Sequence, residues 1–583
     1  MLLNLLFKNK NEKQISKMLT NYIFKVQKNI RKNYKSGEIL IRKINYFLIG
    51  IIKTKHVKYT SFINLFVKNN IENKKYVQII LNLMDIYEIS PTLALNLTLL
   101  IDHKLPKNVN SDLLLANIKY IKNYYFLKKK RLKYDDFRYI GITNFHFGYM
   151  NDRKNNKYIF RQLQNIYVNL DRTIIRNINN KKNINYINKI SVRNKKIKIL
   201  FISKFLSKNH SVFKDRSGII VNLDKTKYEV FIIMDLFKKH STKKFWNQFK
   251  HLKILNLNFI KITLRNLQNI IIKLSLDIIV FCEIGMCFKQ YLLSFSRLAS
   301  IQCNTFGHSD TSGSSNIDYF ISSNFFETEE SDKYYSEKLI KLDCLSMVYK
   351  NQLKWNLILE TKNRFYELLK LSNKLDKLKI KNSDCKLYAC FNSFMKFSLE
   401  FIETLNKIII KDQFGVLLIN FLNMNHYQQK YKRYLEIFKK IFGKNINRVI
   451  FLNEYKFVLK DKLYFIAIKN IDCICETFPF GGLNSTYDVL SVNQAVISLP
   501  SKFISGRFTY GIYKKMLFDK TIAKDEDHYI ELAYKYANDE NFKNNIRIFI
   551  KKNKYKVFNE KKSIEEWNKL FYKKEFWNKE EII

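Results

Sequence analysis

The feature that most constrains the fold is an alternation, beginning near residue 196, of short apolar runs with helix-length segments. The first series of runs is IKILFIS (197–203), YEVFIIM (228–234), LDIIVFC (276–282), SIQCNTF (300–306) and DYFISS (318–323). The second series is KLYACF (386–391), FGVLLIN (414–420), RVIFL (448–452), DCICET (472–477) and AVISLP (495–500). Runs of this length between helices are typical of parallel sheets built from βαβ units. The sequence therefore predicts an α/β protein with two consecutive doubly wound units.

The rest of the chain reads as helical. Upstream of the first series, apolar residues recur at three- and four-residue spacing without strand-like alternation, and no clear repeat is visible. A charged segment without Gly or Pro separates the two series and predicts a helical connection. The predicted domains are a helical domain with its linker (1–190), a first Rossmann-like lobe (196–350), the connection (351–385), a second Rossmann-like lobe (386–535) and C-terminal helices (536–583). Because ligands of such sheets bind at the carboxyl ends of the strands, we expect a site in the cleft between the lobes.

Composition excludes some classes of protein. Lys and Arg outnumber Asp and Glu by 103 to 51, which would suit a nucleic-acid partner. The excess is spread evenly through segments rich in Lys, Asn and Ile, so it predicts a solvated basic surface, and nucleic acid is not expected as the primary partner.

No apolar run approaches the roughly 18 to 20 residues of a membrane span, and the first residues do not resemble a signal peptide. Eight cysteines without a CxxC pair predict neither a disulfide framework nor a zinc site. We therefore expect a reduced, cytoplasmic location.

Glycine and proline concentrate in one region of a chain that has only 14 Gly and 4 Pro. Those between residues 479 and 511 are Pro479, Gly481, Gly482, Pro500, Gly506 and Gly511. The segment FPFGGLNSTYDVL (478–490) predicts a strand end, a tight loop and a helix start that Asn484, Ser485 or Thr486 could cap. A helix N-terminus is a ready site for a pyrophosphate, and Asp488 could accept hydrogen bonds from ribose hydroxyls. Pattern alone is equally compatible with an ordinary capped turn that carries an Asp favoured by the helix dipole.

Four blocks of sequence carry a resemblance to a known family. FPFGGLNSTYDVLSVNQAVISLP, followed by FISGRFTYGIYKKM, resembles the donor site of the O-linked N-acetylglucosamine transferase/SPINDLY family, glycosyltransferase family 41, in its bacterial-type branch. The other blocks are FISKFLSKNHSV (201–212), SFSRLASIQCNTFGHSDTSGSSNIDYFISS (294–323) and ACFNSFMKFSLEFIETLNKII (389–409). They occur in the family's order over residues 197 to about 570. The resemblance implies a GT-B fold, in which two Rossmann-like lobes face a cleft, preceded by an all-α domain.

The resemblance also implies roles for individual residues on the donor side. Lys396 matches the lysine that contacts the donor phosphates, where its charge would stabilise the leaving group. The further donor-binding residues are Asn392, Gly481, Gly482, Asn484, Ser485, Thr486, Asp488 and Arg507. Arg507 could instead hold the loop that carries it.

On the acceptor side, His210 matches the family's active-site histidine, suited to acid/base or acceptor-orienting work. Without the resemblance, a lone His in a loop is more commonly structural. The other acceptor-side residues are Glu283, His308, Thr311, Ser312 and Gly313. Glu283 could equally be a carboxylate exposed at a strand end.

The resemblance implies an inverting sugar transfer that needs neither a metal ion nor a cofactor. The sugar is N-acetylglucosamine from UDP-N-acetylglucosamine, and it is moved to a Ser or Thr hydroxyl of a protein or to another acceptor. Three departures from the family pattern leave both the donor and the acceptor open. Leu483-Asn484-Ser485 stands where the animal enzymes have His-Thr-Thr, and Ser309 stands where Pro often follows the histidine. The FPFG-x-x-N-x-x-x-D spacing also resembles bacterial adhesin-modifying N-glucosyltransferases. UDP-glucose or GDP-fucose donors, or a decayed basic scaffold without activity, remain as alternatives.

Overall fold

The computed structural model describes residues 154, 156–170, 174–178, 196–206, 210–235, 249–259, 261–357, 360–368, 371–419, 428–452 and 461–577. Most of the predicted helical domain, including any repeats, lies outside these residues. Its described part contains one helix, α1 (Asn156–Leu170).

The first lobe is built on a seven-stranded sheet in which all paired strands are parallel. In chain order its elements are β1 (Ile197–Ser203), α2 (Ser211–Val221), β2 (Tyr228–Met234), β3 (Lys253–Asn256), α3 (Leu264–Lys273), β4 (Ile278–Phe281), α4 (Phe288–Leu293), β5 (Ile301–Thr305), β6 (Tyr319–Ser323), a 3-10 helix (Glu329–Tyr334) and β7 (Lys338–Leu342). The strand order is β3-β2-β1-β4-β5-β6-β7. The central strands β4, β5 and β6 are buried along their whole length, and β4 is apolar throughout, as expected for a strand covered on both faces.

The second lobe is built on a five-stranded parallel sheet of order β10-β9-β8-β11-β12. Two short helices precede it, α5 (Lys362–Leu368) and α6 (Ser372–Lys377). The lobe then contains β8 (Lys386–Cys390), a 3-10 helix (Phe394–Lys396), α7 (Leu399–Lys411), β9 (Gly415–Ile419), α8 (Gln428–Phe442), a 3-10 helix (Gly443–Arg448), β10 (Val449–Phe451), α9 (Asp461–Asn470), β11 (Cys473–Cys475), α10 (Asn484–Ser491), β12 (Val496–Ile497), a 3-10 helix (Ile504–Gly506) and α11 (Phe508–Met516).

Among the described residues, four helices and a 3-10 helix follow the second lobe; the first two helices pack against that lobe, and the last two pack against the first lobe. They are α12 (Glu526–Asn538), α13 (Glu540–Asn553), a 3-10 helix (Lys554–Lys556), α14 (Lys561–Leu570) and α15 (Lys574–Trp577). Trp567 is buried in the same hydrophobic cluster as Phe201 of β1, and its Nε1 donates to the Ser346 hydroxyl at 3.0 Å. The boundary predicted between residues 535 and 536 falls inside α12.

All ten predicted strands are present, and the α/β fold class is confirmed. The sequence missed β3 and β7, which lie at the two edges of the first sheet. β3 is half-buried to exposed along its length, and β7 places Lys338 and Lys341 among apolar residues. Edge strands face solvent and therefore lack the continuous apolar run by which the central strands were recognised. All eight cysteines are buried and free, and within the described residues no helix is long and apolar enough to cross a membrane.

The carboxyl ends of the two sheets face each other. Phe306, which follows β5, packs against Phe508 of α11 with ring centroids 5.6 Å apart. Arg507 donates through Nε to the carbonyl oxygen of Phe326, which follows β6, at 2.8 Å. A Cβ at Gly511 would lie 2.4 Å from the Phe326 ring, so only glycine permits this approach. The strand order reverses beside β1 in one sheet and beside β8 in the other, and both reversal points open onto this cleft.

Candidate functional site

The reversal point of the second sheet brings a lysine close to the glycine-rich loop. The Lys396 ammonium donates to the carbonyl oxygen of Gly481 at 2.5 Å and lies 4.5 Å from the centroid of the Phe480 ring. Burial lowers the pKa of Lys396 to about 8, while the nearby Glu476 and Cys390 act in the opposite direction. Lys396 therefore loses its charge in a pH range where an ordinary lysine keeps it.

Helix α10 begins without a side-chain cap. Its N-cap residue is Leu483, which makes no capping hydrogen bond, so the expectation that Asn484, Ser485 or Thr486 caps the helix is wrong. These three residues form the first turn, because the first hydrogen bond of the helix runs from the Tyr487 N–H to the Leu483 carbonyl oxygen. The N–H groups of a first turn have no acceptor within their helix and carry a partial positive charge. The helix start is therefore suited to an anion.

The two glycines of the loop shape it from within. The Gly481 N–H donates to the Ser505 carbonyl oxygen at 2.9 Å, and the Gly482 N–H donates to Glu476 Oε1 at 2.8 Å. Both N–H groups are therefore engaged inside the protein, and the predicted donor-binding role of these residues rests on loop geometry. A Cβ at Gly482 would lie 2.3 Å from Ser485 Oγ and 2.8 Å from Glu476 Oε1.

The neighbouring polar side chains connect the loop to the sheet. The Asn392 amide donates to Ser485 Oγ at 3.3 Å, and its carbonyl oxygen accepts from the Thr477 N–H at 3.2 Å. Thr486 and Thr509 join α10 to α11 through their hydroxyl groups, 2.6 Å apart. Asn392, Ser485 and Thr486 are thus connected to the ends of β8 and β11 and to α11.

Two predicted donor residues have partners from outside the loop. The buried Asp488 accepts a hydrogen bond of 3.4 Å from the hydroxyl of Tyr349, whose ring stacks on Tyr487 with centroids 4.1 Å apart. Arg507 donates to two backbone carbonyl oxygens, those of Phe326 and Ser501. These bonds hold the loop that carries Arg507, and phosphate binding by this residue stays a prediction.

His210 lies at the N-terminus of α2 in the first lobe. Its Nδ1 accepts a hydrogen bond from the Val212 N–H at 3.3 Å, and its ring stacks on Phe205. A neutral imidazole has one donor and one acceptor nitrogen, so Nε2 carries the proton while Nδ1 accepts this bond. In this arrangement His210 can orient another group by donating through Nε2.

Asp215, which the sequence did not single out, links α2 to the start of α10. Its side chain is buried in the cleft near Asn484 of the opposite lobe, and its Oδ1 has no hydrogen-bond partner among the described residues. Burial raises the pKa of Asp215 to about 7, although Arg216, Lys214 and the Asn484 contact oppose the shift. Its position inside a helix, beside two basic residues, gave no sign that it would be buried.

Glu283 lies two residues after β4 and is completely buried, so it is not a carboxylate exposed at a strand end. It accepts hydrogen bonds from the Lys204 N–H at 2.9 Å and from the Gln290 amide at 2.6 Å. Burial raises its pKa to about 7, against the effect of these donors and of Arg216. Glu283 therefore joins the ends of β1 and β4 to helix α4.

The remaining acceptor-side residues form a buried turn. Thr311 and Ser312 donate through their hydroxyl groups to the carboxylate of Glu337, which also accepts from the Ser312 N–H at 2.8 Å. Gly313 has a φ of +69°, and a Cβ there would lie 2.2 Å from Phe160 of α1. His308 is buried at the start of the same segment. The turn is thus fixed by Glu337 on one side and by α1 on the other.

A first prediction follows from Asp215. Since its pKa is raised from 3.8 to about 7 in the folded protein, the folded state binds more protons than the unfolded state between these pH values. The free energy of unfolding should therefore fall as pH rises through that range. Asp215→Asn should remove up to about 4 kcal/mol of this fall, measured by denaturant unfolding across pH. The exposed control Asp519→Asn should keep the wild-type slope, and a wild-type slope in Asp215→Asn would contradict the prediction.

No protein-family profile and no curated protein matches this chain, but solved structures do. It is similar to a mutant of the O-GlcNAc transferase of Thermobaculum terrenum, with a TM-score of 0.54 and 14% identity over 89% of this chain and 98% of that one. The similarity to Anabaena HepE in complex with UDP and glucose has a TM-score of 0.41 and 9% identity over 64% of this chain and 99% of that one. The similarity to the sucrose-phosphate synthase of Thermosynechococcus elongatus has a TM-score of 0.40 and 11% identity over 64% of this chain and 98% of that one. At such low sequence identity, similarity to a solved structure shows the fold alone. The chain has the GT-B fold, with two Rossmann-like lobes that face a cleft.

Proposed function

We propose that this protein is a nucleotide-sugar-dependent glycosyltransferase that moves N-acetylglucosamine from UDP-N-acetylglucosamine to a Ser or Thr hydroxyl of a protein. The observation that carries the proposal is the uncapped start of α10, with the Lys396 ammonium bound to the adjacent loop, at the reversal point of the second GT-B lobe. The four sequence blocks and the fold shared with a protein named O-GlcNAc transferase support it.

In this proposal the diphosphate of UDP lies against the first turn of α10. The N–H groups of Asn484, Ser485 and Thr486 donate to phosphate oxygens. An ammonium group has three protons, so Lys396 can keep its bond to the Gly481 carbonyl oxygen while it contacts a phosphate. Asp488 accepts from a ribose hydroxyl and shares its carboxylate with Tyr349.

The chemistry is a displacement at the anomeric carbon of the sugar. The acceptor oxygen forms a bond to this carbon as the bond to the β-phosphate oxygen breaks, and the electron pair leaves with UDP. The acceptor hydroxyl gives up its proton to water in the same reaction. Negative charge grows on the diphosphate during this step, so Lys396 and the N–H groups of α10 stabilise the transition state more than the bound substrate. His210 orients the acceptor oxygen by donating through Nε2.

The decisive test is calorimetric titration with UDP, GDP and a panel of their sugars. We expect UDP to bind and Asp488→Ala to lose at least about tenfold in affinity, or about 1.4 kcal/mol, because the ribose contact is removed. The exposed control Asp519→Ala should bind as wild type. A preference for UDP-glucose or GDP-fucose would move the proposal to another donor. Absence of binding to every nucleotide, with RNA binding that falls steeply with salt, would replace it with a basic binding scaffold.

We also propose that transfer needs no metal ion, since the helix start and Lys396 supply positive charge at the diphosphate. Sugar transfer from UDP-N-acetylglucosamine, measured after EDTA treatment and gel filtration, should keep the wild-type rate. Loss of activity that Mn²⁺ or Mg²⁺ restores would contradict this part of the proposal.

The two loop glycines provide a matched pair of variants for the donor site. Gly482→Ala should weaken UDP binding by roughly 10-fold or more, because the added methyl group overpacks against Ser485 and Glu476. Gly481→Ala should have a smaller effect, since its Cβ would lie 3.1 Å from the nearest atom, Glu476 Oε2. Titration with UDP measures both, and equal affinities in the two variants would show that the loop does not shape the donor site.

A further inference from the structure

Glu476, which the sequence did not single out, is the buried centre of the donor loop. It directly follows β11. Its Oε1 accepts from the Gly482 N–H at 2.8 Å and from the Thr509 hydroxyl at 2.5 Å, and its Oε2 accepts from the Ser498 hydroxyl at 2.6 Å. One carboxylate therefore fixes the loop, the end of β12 and the start of α11.

Glu476 and Lys396 lie on two sides of the same glycine. The Gly481 carbonyl oxygen accepts from the Lys396 ammonium at 2.5 Å, while the position of a Cβ on Gly481 is 3.1 Å from Glu476 Oε2. No closer acidic group faces Lys396 among the described residues: its electrostatic neighbours are Glu476 at the end of β11 and the Cys390 thiol at the end of β8. Glu476 is thus the carboxylate placed to hold the charge of Lys396.

We propose that Glu476 is a positioning residue of the donor site that fixes the glycine loop and keeps Lys396 positively charged where the diphosphate binds. The proposal deepens the function given above and rests on it. A carboxylate near a buried ammonium favours the charged form of the lysine, and its hydrogen-bond donors from three elements keep that carboxylate in place. The hydrogen bonds alone could be made by a glutamine oxygen, but the effect on Lys396 requires the negative charge.

The charge of Lys396 can be measured without any nucleotide. Trace acetylation at a series of pH values, with the Lys396 peptide quantified by mass spectrometry, reports the pH at which the amine becomes reactive. The wild-type midpoint should lie at about pH 8. Glu476→Gln should move the midpoint down by about one pH unit, because removal of the carboxylate destabilises the ammonium. The affinity for UDP should fall at alkaline pH as Lys396 loses its charge, and in Glu476→Gln this fall should shift to lower pH by the same amount.

Glu337→Gln is the matched control, since Glu337 is also a buried glutamate that fixes a turn through hydroxyl groups and an N–H, but in the other lobe. It should leave the Lys396 midpoint unchanged, whatever it does to activity. Glu476→Asp keeps the charge and should also keep the midpoint near its wild-type value. If Glu476→Gln does not fold, Ser498→Ala removes one donor to the carboxylate and should shift the midpoint in the same direction by less.

An unchanged Lys396 midpoint in folded Glu476→Gln would overturn the proposal and reduce Glu476 to a structural residue. Failure of the wild-type protein to bind UDP would count against the proposed function instead. Because the labelling experiment uses no nucleotide, the two failures are distinguishable.

Discussion

The structure depends on the burial of ionisable groups where its two sheets face each other. Asp215 and Glu283 in the first lobe and Glu476 in the second are buried carboxylates, and Lys396 lies beside the last of these. Burial of a charge is costly unless hydrogen bonds or opposite charges compensate it. Glu283 and Glu476 each receive several donors, which come from the segments after β1, β11 and β12 and from helix α4. The same bonds that make burial tolerable therefore fix the loops that line the cleft.

The fold could be predicted from the sequence because strands buried on both faces are mostly apolar, and ten short runs of this kind alternate with helix-length segments. The edge strands β3 and β7 could not be recognised in this way, since their exposed positions carry Lys and Asn. The return of α14 and α15 to the first lobe was also not visible, because Trp567 and Phe571 pack against residues more than 200 positions away. Such contacts leave no local pattern.

Part of the candidate site could be predicted, because some of its residues directly follow strands whose order in the sheet is known from the fold class. Asn392, Lys396 and the start of α10 lie close together because β8 and β11 are neighbours, as a doubly wound unit requires. The position of Glu476 at the end of β11 was a usable signal, since the same argument had selected Glu283 at the end of β4. Asp215 gave no such signal. Its burial comes from the approach of the two lobes, which only the three-dimensional structure defines.

The central claim is that the start of α10 and Lys396 bind the diphosphate of a nucleotide sugar. A crystal structure of the UDP complex tests it most directly. We expect phosphate oxygens within hydrogen-bonding distance of the N–H groups of Ser485 and Thr486 and of the Lys396 ammonium, with the Gly482 N–H still bound to Glu476. UDP bound elsewhere in the cleft, with no phosphate at the start of α10, would contradict it.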